Sequence, residues 1–148
     1  NTAGSPLFAF TSFVINSSIA SSTTFLRFPP IYSDTWSASG IGNGASVSSV
    51  TIVDNVGMQI TVPAGSFNCA VTIETTSFPS GYDTDGLTEV EYRRYFAPGV
   101  GLVKVAAKRV NGTYVVGELQ SYSLSNPDPA DYFPLTLNDS WTFKWTGY

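Results

Sequence analysis

The sequence predicts an all-β fold, either a single antiparallel β-sandwich or a flattened barrel. Only 12% of its 148 residues are charged, while Ser, Thr, Gly, Asn and aromatic residues are abundant. No stretch places apolar residues at helical spacing opposite a face of Lys and Glu. Short alternating segments are instead separated by turns that contain Gly, Pro or Asn. A chain of this length can form one hydrophobic core but is too short to form two of sufficient size, so we expect one domain.

The first predicted strand, residues 7–15 ("LFAFTSFVI"), is apolar on both faces, as in a strand that is covered on two sides. Strand segments at 23–28 and 35–39 follow it. A stretch rich in Gly and Ser comes next and predicts a flexible turn. The segments 47–53 and 58–62 then flank "DNVG", which favours a hairpin connection between them.

The second half of the chain alternates more regularly. A long strand is predicted at 67–76, and two further segments, "TEVEYRRYF" and "GLVKVAAKRV", bracket "APG". In that turn Pro98 presets φ and Gly99 supplies the positive φ of a type II turn. Asn111-Gly112 joins the next two strands and predicts a two-residue hairpin turn with positive φ at both positions.

Alternation within these strands also predicts the core. The single cysteine, Cys69, excludes an intrachain disulfide and shares a strand face with Phe67 and Val71. It is interpreted as a buried, inert thiol rather than a nucleophile, which would need an exposed electropositive site. The predicted core comprises Val50, Ile52, Ile60, Val62, Phe67, Val71, Ile73, Val103, Val105, Val115 and Leu119.

One motif occurs twice: "FPPIYSDTW" spans 28–36, and "FPLTLNDSW" spans 133–141. Between them, the proline-rich "SNPDPAD" favours a linker that leaves the sheet, because proline cannot donate to a strand ladder. The expected organisation is an N-terminal apolar strand and linker at 1–27, a β-domain at 28–124, a linker at 125–131 and a C-terminal strand at 132–148.

The C-terminal segment has one aromatic face, because Trp141, Phe143 and Trp145 alternate with polar residues. Burying such side chains is worth on the order of 1.5–3 kcal/mol each. We predict a terminal strand available for strand exchange, with the C-terminal strand as the favoured donor and residues 7–15 as the alternative. The residues predicted at the subunit contact are Trp141, Phe143, Trp145, Phe133, Leu135, Leu7, Phe8, Phe10, Phe13 and Val14.

Catalytic chemistry finds little support in the sequence. The absence of histidine excludes a Ser-His-Asp triad and a histidine metal site. Glu89 and Glu91 lie roughly 7 Å apart by strand rise, within the range of paired glycosidase carboxylates, but a solvated edge in which Arg93 pairs with Glu91 is favoured. Asp83 and Asp85 match the front half of a calcium loop without its later ligands, which favours a turn. We predict no catalytic residue, no metal and no cofactor.

The predicted setting is extracellular. The chain begins "NTAGSPLFAF", without Met, a basic region or an apolar leader, which is typical of a mature secreted chain. No apolar run approaches the roughly 20 residues of a spanning helix. The net charge of −4 and the scattered Lys and Arg argue against nucleic-acid binding. The Asn-x-Ser/Thr sequons at Asn16, Asn111 and Asn138 are candidate glycan acceptors.

Three stretches carry a resemblance to a known group of proteins. They are "ITVPAGSFNCAVTIETT", "EYRRYFAPGVGLVK" and "NGTYVVGELQSYSL", in this order after a Phe-Pro…Asp-x-Trp strand. Over residues 28–124 the chain resembles secreted bacterial β-rich domains of unknown function, often lipoproteins, with the pattern VPAGxF…YYAPGVGLVK…LxxY. The resemblance implies an extracytoplasmic β-domain and brings no established catalytic residues.

The sequence is compatible with three classes of function. The favoured one is a non-enzymatic structural protein whose copies form a filament or pilus-like surface fibre by β-strand addition. The second is a binding module, either for glycans on exposed aromatic rings or for lipid in a half-open barrel. The third, an enzyme that uses the carboxylates, is the least favoured.

Overall fold

The strands of the chain form one open antiparallel sheet. The structure, a computed structural model, describes residues 26–148 apart from positions 28, 43, 84, 133 and 135. Each strand pairs with the next in chain order, and the sheet is not closed into a barrel. The predicted all-β antiparallel fold is confirmed, and none of the residues just defined lies in a helix. The strands are β1 (Thr35–Gly42), β2 (Ala45–Val62), β3 (Gly65–Ser77), β4 (Glu89–Ala97), β5 (Gly101–Arg109), β6 (Tyr114–Ser123) and β7 (Ser140–Gly147).

The predicted hairpin at "DNVG" is wrong, because β2 runs through it as one 18-residue strand. The pairing with β3 shifts register between Val53 and Asn55 and again between Asn55 and Met58. These shifts are β-bulges, in which extra residues on one strand face fewer on its partner. The Asn55 side chain accepts a hydrogen bond from the Gly57 amide at 2.8 Å, which holds the bulged segment. Turn-forming residues therefore bend a strand here instead of ending it.

The buried face of β2 changes at the bulged segment. Before it, Val47 and Val53 are buried, whereas the predicted core residues Val50 and Ile52 are 55% and 36% exposed. After it, Val62 is buried on the other parity. The two register shifts each add one residue to β2, so together they restore the alternation, and Val50 and Ile52 lie on the same face as Ile60 and Val62. β3 changes its buried face in the same way, from Cys69 and Val71 to Thr72 and Glu74, without a register shift against β4 across 70–75. Val50 and Ile52 were therefore placed on the right face, but that face is exposed in the first half of β2. Of the other predicted core residues, Val62, Val71, Val103, Val105 and Leu119 are buried, and Ile60, Phe67, Ile73 and Val115 are partly buried.

The buried residues fall into three clusters. The largest contains Val62, Cys69, Val71, Ala97, Val100, Val103 and Leu119. The second contains Val47, Tyr92, Val105 and Ala107, with Phe78 and Tyr82 packed against it. The third contains Leu26, Trp36, Val53 and Phe96, with Leu102 and Tyr132 against it. Cys69 is buried, as predicted.

Two turns show how far local sequence specifies geometry. Gly99 has a φ of 77° and the Val100 amide donates to the Ala97 carbonyl at 3.1 Å, so the predicted β4–β5 turn is confirmed. The β5–β6 hairpin also forms, but only Gly112 has positive φ and Asn111 does not. This is a three-residue loop, a turn followed by a left-handed glycine, rather than the predicted two-residue turn.

The segments flanking the sheet pack against it. Leu26 and Arg27, part of the strand predicted at 23–28, lie outside any strand, although Leu26 is buried. In the predicted linker, the Asp131 carbonyl accepts a hydrogen bond from the Gly99 amide at 2.6 Å. The Ala64 amide donates to the Leu119 carbonyl at 3.0 Å, which brings the tip of the β2–β3 hairpin to β6. The sheet is therefore curved.

Candidate subunit-interaction edges

The described residues of the repeated motif form the same turn in both copies. In the first copy the Asp34 amide donates to the Ile31 carbonyl, and in the second the Asp139 amide donates to the Thr136 carbonyl, each at 3.0 Å. The residue before each aspartate has a positive φ, 66° at Ser33 and 76° at Asn138. No other non-glycine residue in the described part of the chain has a positive φ. The motif is thus a turn that delivers the chain into a strand.

Each copy of the motif leads into one of the two outermost strands of the described sheet. Trp36 is the second residue of β1, and Trp141 is the second residue of β7. The strand order runs from β1 to β7, so each of these strands has a neighbour on one side only among the strands described. An edge strand presents backbone amides and carbonyls to any added strand. The duplication therefore marks both places where another strand could join the sheet.

At one edge, the C-terminal strand β7 pairs with β6 of its own chain from Ser140 to Gly147. Trp141 and Phe143 pack against the largest core cluster, and the Trp141 indole donates to the Val100 carbonyl at 2.7 Å. Trp145 lies beside Phe143 with ring centroids 6.4 Å apart, and it is 47% exposed. The segment predicted as a donor thus has a partner within its own subunit.

Asp139 fixes the entry into β7. One of its carboxylate oxygens accepts from the amide and the hydroxyl of Ser125, at 2.7 and 2.8 Å. The other accepts from the Thr136 amide at 2.8 Å. These hydrogen bonds, the Ser125 amide foremost, hold the pKa of the Asp139 carboxyl below its usual range. Asp34, at the same position of the first motif, instead forms a 3.6 Å ion pair with Arg27.

The other edge, β1, has a different surface. From Thr35 to Gly42 it contains no charged residue. After Trp36 the side chains on both faces of β1 are short, apart from that of Ile41, because the other positions are Ser, Ala or Gly. Its neighbour β2 carries exposed Val50 and Ile52 directly opposite Ser37 and Thr35.

Several predicted contact residues lie outside the described residues. They are Leu7, Phe8, Phe10, Phe13, Val14, Phe133 and Leu135, together with the sequon Asn16. The other two sequons are at exposed turns. The Asn111 side chain accepts from the amide and the hydroxyl of Thr113, at 2.9 and 2.7 Å.

The carboxylates singled out by the sequence are engaged in pairs and turns. Glu89 accepts from Arg109 at 3.2 Å, and Glu91 lies 4.0 Å from Arg93. Asp83 accepts from the Thr88 amide and Asp85 from the Leu87 amide, which is the predicted turn. In the part of the chain that the structure describes, no group of three His, Cys, Asp or Glu residues is arranged to hold a metal ion.

One buried ion pair was not predicted from the sequence. Arg94 and Glu74 form a 2.6 Å ion pair with side chains 2% and 3% exposed, and the Arg94 guanidinium lies 4.9 Å from the centre of the Tyr92 ring. Thr72 and Thr76, on the same strand face as Glu74, are buried beside it. The alternation in "VTIETT" indicates that these residues share a face, but only the register between β3 and β4 shows that Arg94, not Arg93, is buried with them.

The chain matches no protein-family model, no curated protein and no solved structure. The resemblance to secreted bacterial β-domains therefore stays a prediction. Among the described residues no helix is long and apolar enough to span a membrane.

Proposed function

We propose that this chain is a non-enzymatic structural subunit whose copies assemble outside the cell into a filament or surface fibre by β-strand addition. The observation that supports it most directly is the strand order, which leaves β1 and β7 with a neighbour on one side only within the described sheet. Adding a strand to such an edge satisfies backbone groups that are otherwise left to water. When the added strand comes from the next copy, the contact is head-to-tail, and it continues as an open fibre unless the rotation closes it.

The acidic residues support a structural role. All four glutamates of the sequence are within the described residues, and each is paired with a Lys or Arg. Aspartates 83, 85, 128 and 139 accept hydrogen bonds from nearby backbone amides. Carboxylates used in this way fix turns and strand pairs.

The alternative, an extracytoplasmic binding module for a glycan or lipid, depends on exposed aromatic surface. Trp145 is 47% exposed, and an exposed indole is the kind of surface on which a sugar ring stacks. Trp36 is buried, and Trp141 is half-buried with its indole nitrogen bonded to a carbonyl. Trp145 is thus the one exposed indole among the three tryptophans, which gives this alternative less support than the open edges give the fibre.

The fibre proposal is tested on the purified full chain by negative-stain electron microscopy and sedimentation velocity. Filaments of uniform diameter that give the same far-ultraviolet dichroism spectrum as freshly purified protein are expected. A single small sedimenting species at every concentration, without filaments, would contradict the proposal. Glu91→Gln is the control for an enzymatic role of the carboxylates. Glu91 is partly exposed and lies 4.0 Å from Arg93, so its replacement should leave assembly unchanged.

A further inference from the structure

Strands β5, β6 and β7 form a regular block of side chains on their solvent-facing side. Their pairing has no register shift over this block, so residues directly opposite each other form rows across the strands. Tyr114 and Tyr148 add one more pair, because each amide donates to the other residue's carbonyl, at 2.9 and 2.7 Å. The three rows, each given from β5 to β7, are Lys104, Glu118 and Lys144, then Ala106, Val116 and Thr146, and finally Lys108, Tyr114 and Tyr148.

The sizes of these side chains make the block a shallow trough, which we call the β5–β7 trough. Its floor is the middle row, where Ala106, Val116 and Thr146 have short side chains. The two outer rows carry long side chains and lie about 14 Å apart, because four residues of each strand separate them. On the other side of the same strands Val105 and Leu119 are buried, so the core supports the floor.

Uncompensated positive charge is concentrated at this trough, although the whole chain has a net charge of −4. Five of the seven Lys and Arg residues form ion pairs with Asp or Glu. The other two, Lys108 and Lys144, lie in opposite outer rows. Neither has a carboxylate within 4.0 Å in the described part of the chain, which includes every Asp and Glu of the sequence. A ligand with negative charge would compensate both ammonium groups.

The row that contains Lys108 also supplies exposed aromatic surface. Tyr114 is 40% exposed and Tyr148 is 74% exposed. Because the two residues exchange both backbone hydrogen bonds, their Cα atoms lie about 5.5 Å apart and their side chains are neighbours on one side of the sheet. Exposed tyrosine rings offer an apolar face with a polar tip, which suits the face of a sugar ring. Trp145 is not part of this surface, because its ring lies over Gly117 on the other side of the sheet.

The remaining polar groups suit the hydroxyl and carboxylate groups of such a ligand. Thr146 is exposed in the floor, and its hydroxyl can both donate and accept hydrogen bonds. Glu118 uses one carboxylate oxygen for Lys104 at 2.8 Å, and its second oxygen can accept from a sugar hydroxyl. Arg93 on β4 lies opposite Ala106 at the end of the floor, 42% exposed and 4.0 Å from Glu91. A guanidinium in this position can bind a carboxylate through two N–H groups.

We propose that the β5–β7 trough binds an acidic carbohydrate, a chain of sugar rings that carries carboxylate groups. A ring packs against Tyr114 over the floor, and the carboxylates reach Lys108 on one side and Lys144 on the other. Nucleic acid fits less well, because it carries a charge at every nucleotide and the trough has few cations to compensate them. An acidic peptide would supply carboxylates but no sugar face for the tyrosines. The assignment goes beyond the proposed function and does not depend on it, since strand addition uses the edges of a sheet and leaves this face exposed.

The test is calorimetric titration of the purified full chain with alginate oligosaccharides, which are chains of uronic acids. Saturable binding that weakens as salt is added is expected. Lys108→Gln and Lys144→Gln should each weaken it about threefold, and Tyr114→Thr about fivefold. Far-ultraviolet dichroism checks that each variant keeps the fold.

Two matched controls should leave the affinity unchanged. Gln59→Glu changes the net charge by the same amount as each lysine variant, at an exposed position on β2. Tyr122→Thr removes a tyrosine of β6 that is 41% exposed, almost the same as Tyr114, but lies outside the trough.

Each opposing result overturns a definite part of the proposal. Absence of binding at low salt refutes the site, and equal weakening by Gln59→Glu and the lysine variants refutes its location. Equal affinity for polyglutamate or for oligothymidylate shows that charge alone is recognised and refutes the carbohydrate. Equal affinity for a neutral glucan oligosaccharide refutes the role of the two lysines. Fibre formation is scored separately by microscopy, so failure of this proposal and failure of the proposed function are distinguished.

Discussion

The guanidinium of Arg94 donates to the carboxylate of Glu74 at 2.6 Å in the middle of the sheet, where both side chains are almost fully buried. Removing one partner leaves the other charge buried without compensation. We expect Arg94→Met to lower the free energy of unfolding by about 3–5 kcal/mol, measured by urea denaturation. Replacing both residues, as Arg94→Met with Glu74→Leu, should recover most of the loss. A single variant as stable as the parent would contradict this account of the pair.

Gly117 is required by the indole of Trp145. A Cβ at position 117 would lie 2.8 Å from the nearest ring carbon of Trp145, which no packed structure tolerates. Gly117→Ala should therefore displace β7 and cost about 1–3 kcal/mol of stability, as overpacked sites do. The same substitution in a Trp145→Ala background should be nearly neutral. Gly57→Ala, where a Cβ would meet no atom within 4 Å, is the control, and an equal cost there would refute the explanation.

Gly99 joins the β4–β5 turn to the segment 125–131. Its φ is 77°, and a Cβ would lie 3.0 Å from the Cα of Pro129. Gly112 has a similar φ of 86° but no atom within 4 Å of its Cβ position, so Gly112→Ala measures the conformational cost alone, about 1–2 kcal/mol. We expect Gly99→Ala to cost more and to increase hydrogen exchange at 125–131. Equal effects of the two variants would show that the Pro129 contact contributes nothing.

Asp139 should make the fold sensitive to acid. The folded-state pKa of Asp139 is lowered, chiefly by the hydrogen bond from the Ser125 amide. Asp139 therefore contributes its full stability at pH values well above its unfolded pKa of about 3.9. That contribution is lost as the pH falls through the folded-state pKa. Asp139→Asn should lower the urea midpoint at pH 7 and flatten its fall between pH 5 and pH 2. Asp34→Asn, at the same position of the other motif, should change the urea midpoint at pH 7 little, because Asp34 forms only a partly exposed 3.6 Å ion pair with Arg27. Parallel pH curves for Asp139→Asn and the parent would be the opposing result.

The Cys69 thiol should be unreactive in the folded protein. Burial raises its pKa to about 12, so an aromatic disulfide reagent at pH 8 should react only after denaturant is added. Because the unfolded thiol loses its proton near pH 8.5 and the folded thiol retains it, stability should fall as pH rises above that value. Cys69→Ala should remove this part of the alkaline fall. Rapid labelling without denaturant would contradict the burial.

Features that depend on local chemistry could be predicted from the sequence. The strands β3 to β6, the turn at Pro98-Gly99 and the burial of Cys69 all follow from alternation, from a fixed proline φ and from a glycine that can adopt positive φ. The repeated motif could also be found in the sequence, and its two copies form the same turn at Ser33 and Asn138, although the turns share only their aspartate.

Features that depend on which strands meet were set by tertiary packing and could not be predicted. Val50 and Ile52 are exposed because the buried side of the sheet changes along β2 and β3, so the face of β2 that is partly buried in its second half is exposed in its first. The register of β4 against β3 buried Arg94 with Glu74. The pairing of β7 with β6 occupied one side of the C-terminal strand and left an uncharged edge at β1. Such pairings join residues far apart in the chain, and their free energies are set by packing between strands, which no short stretch of sequence contains.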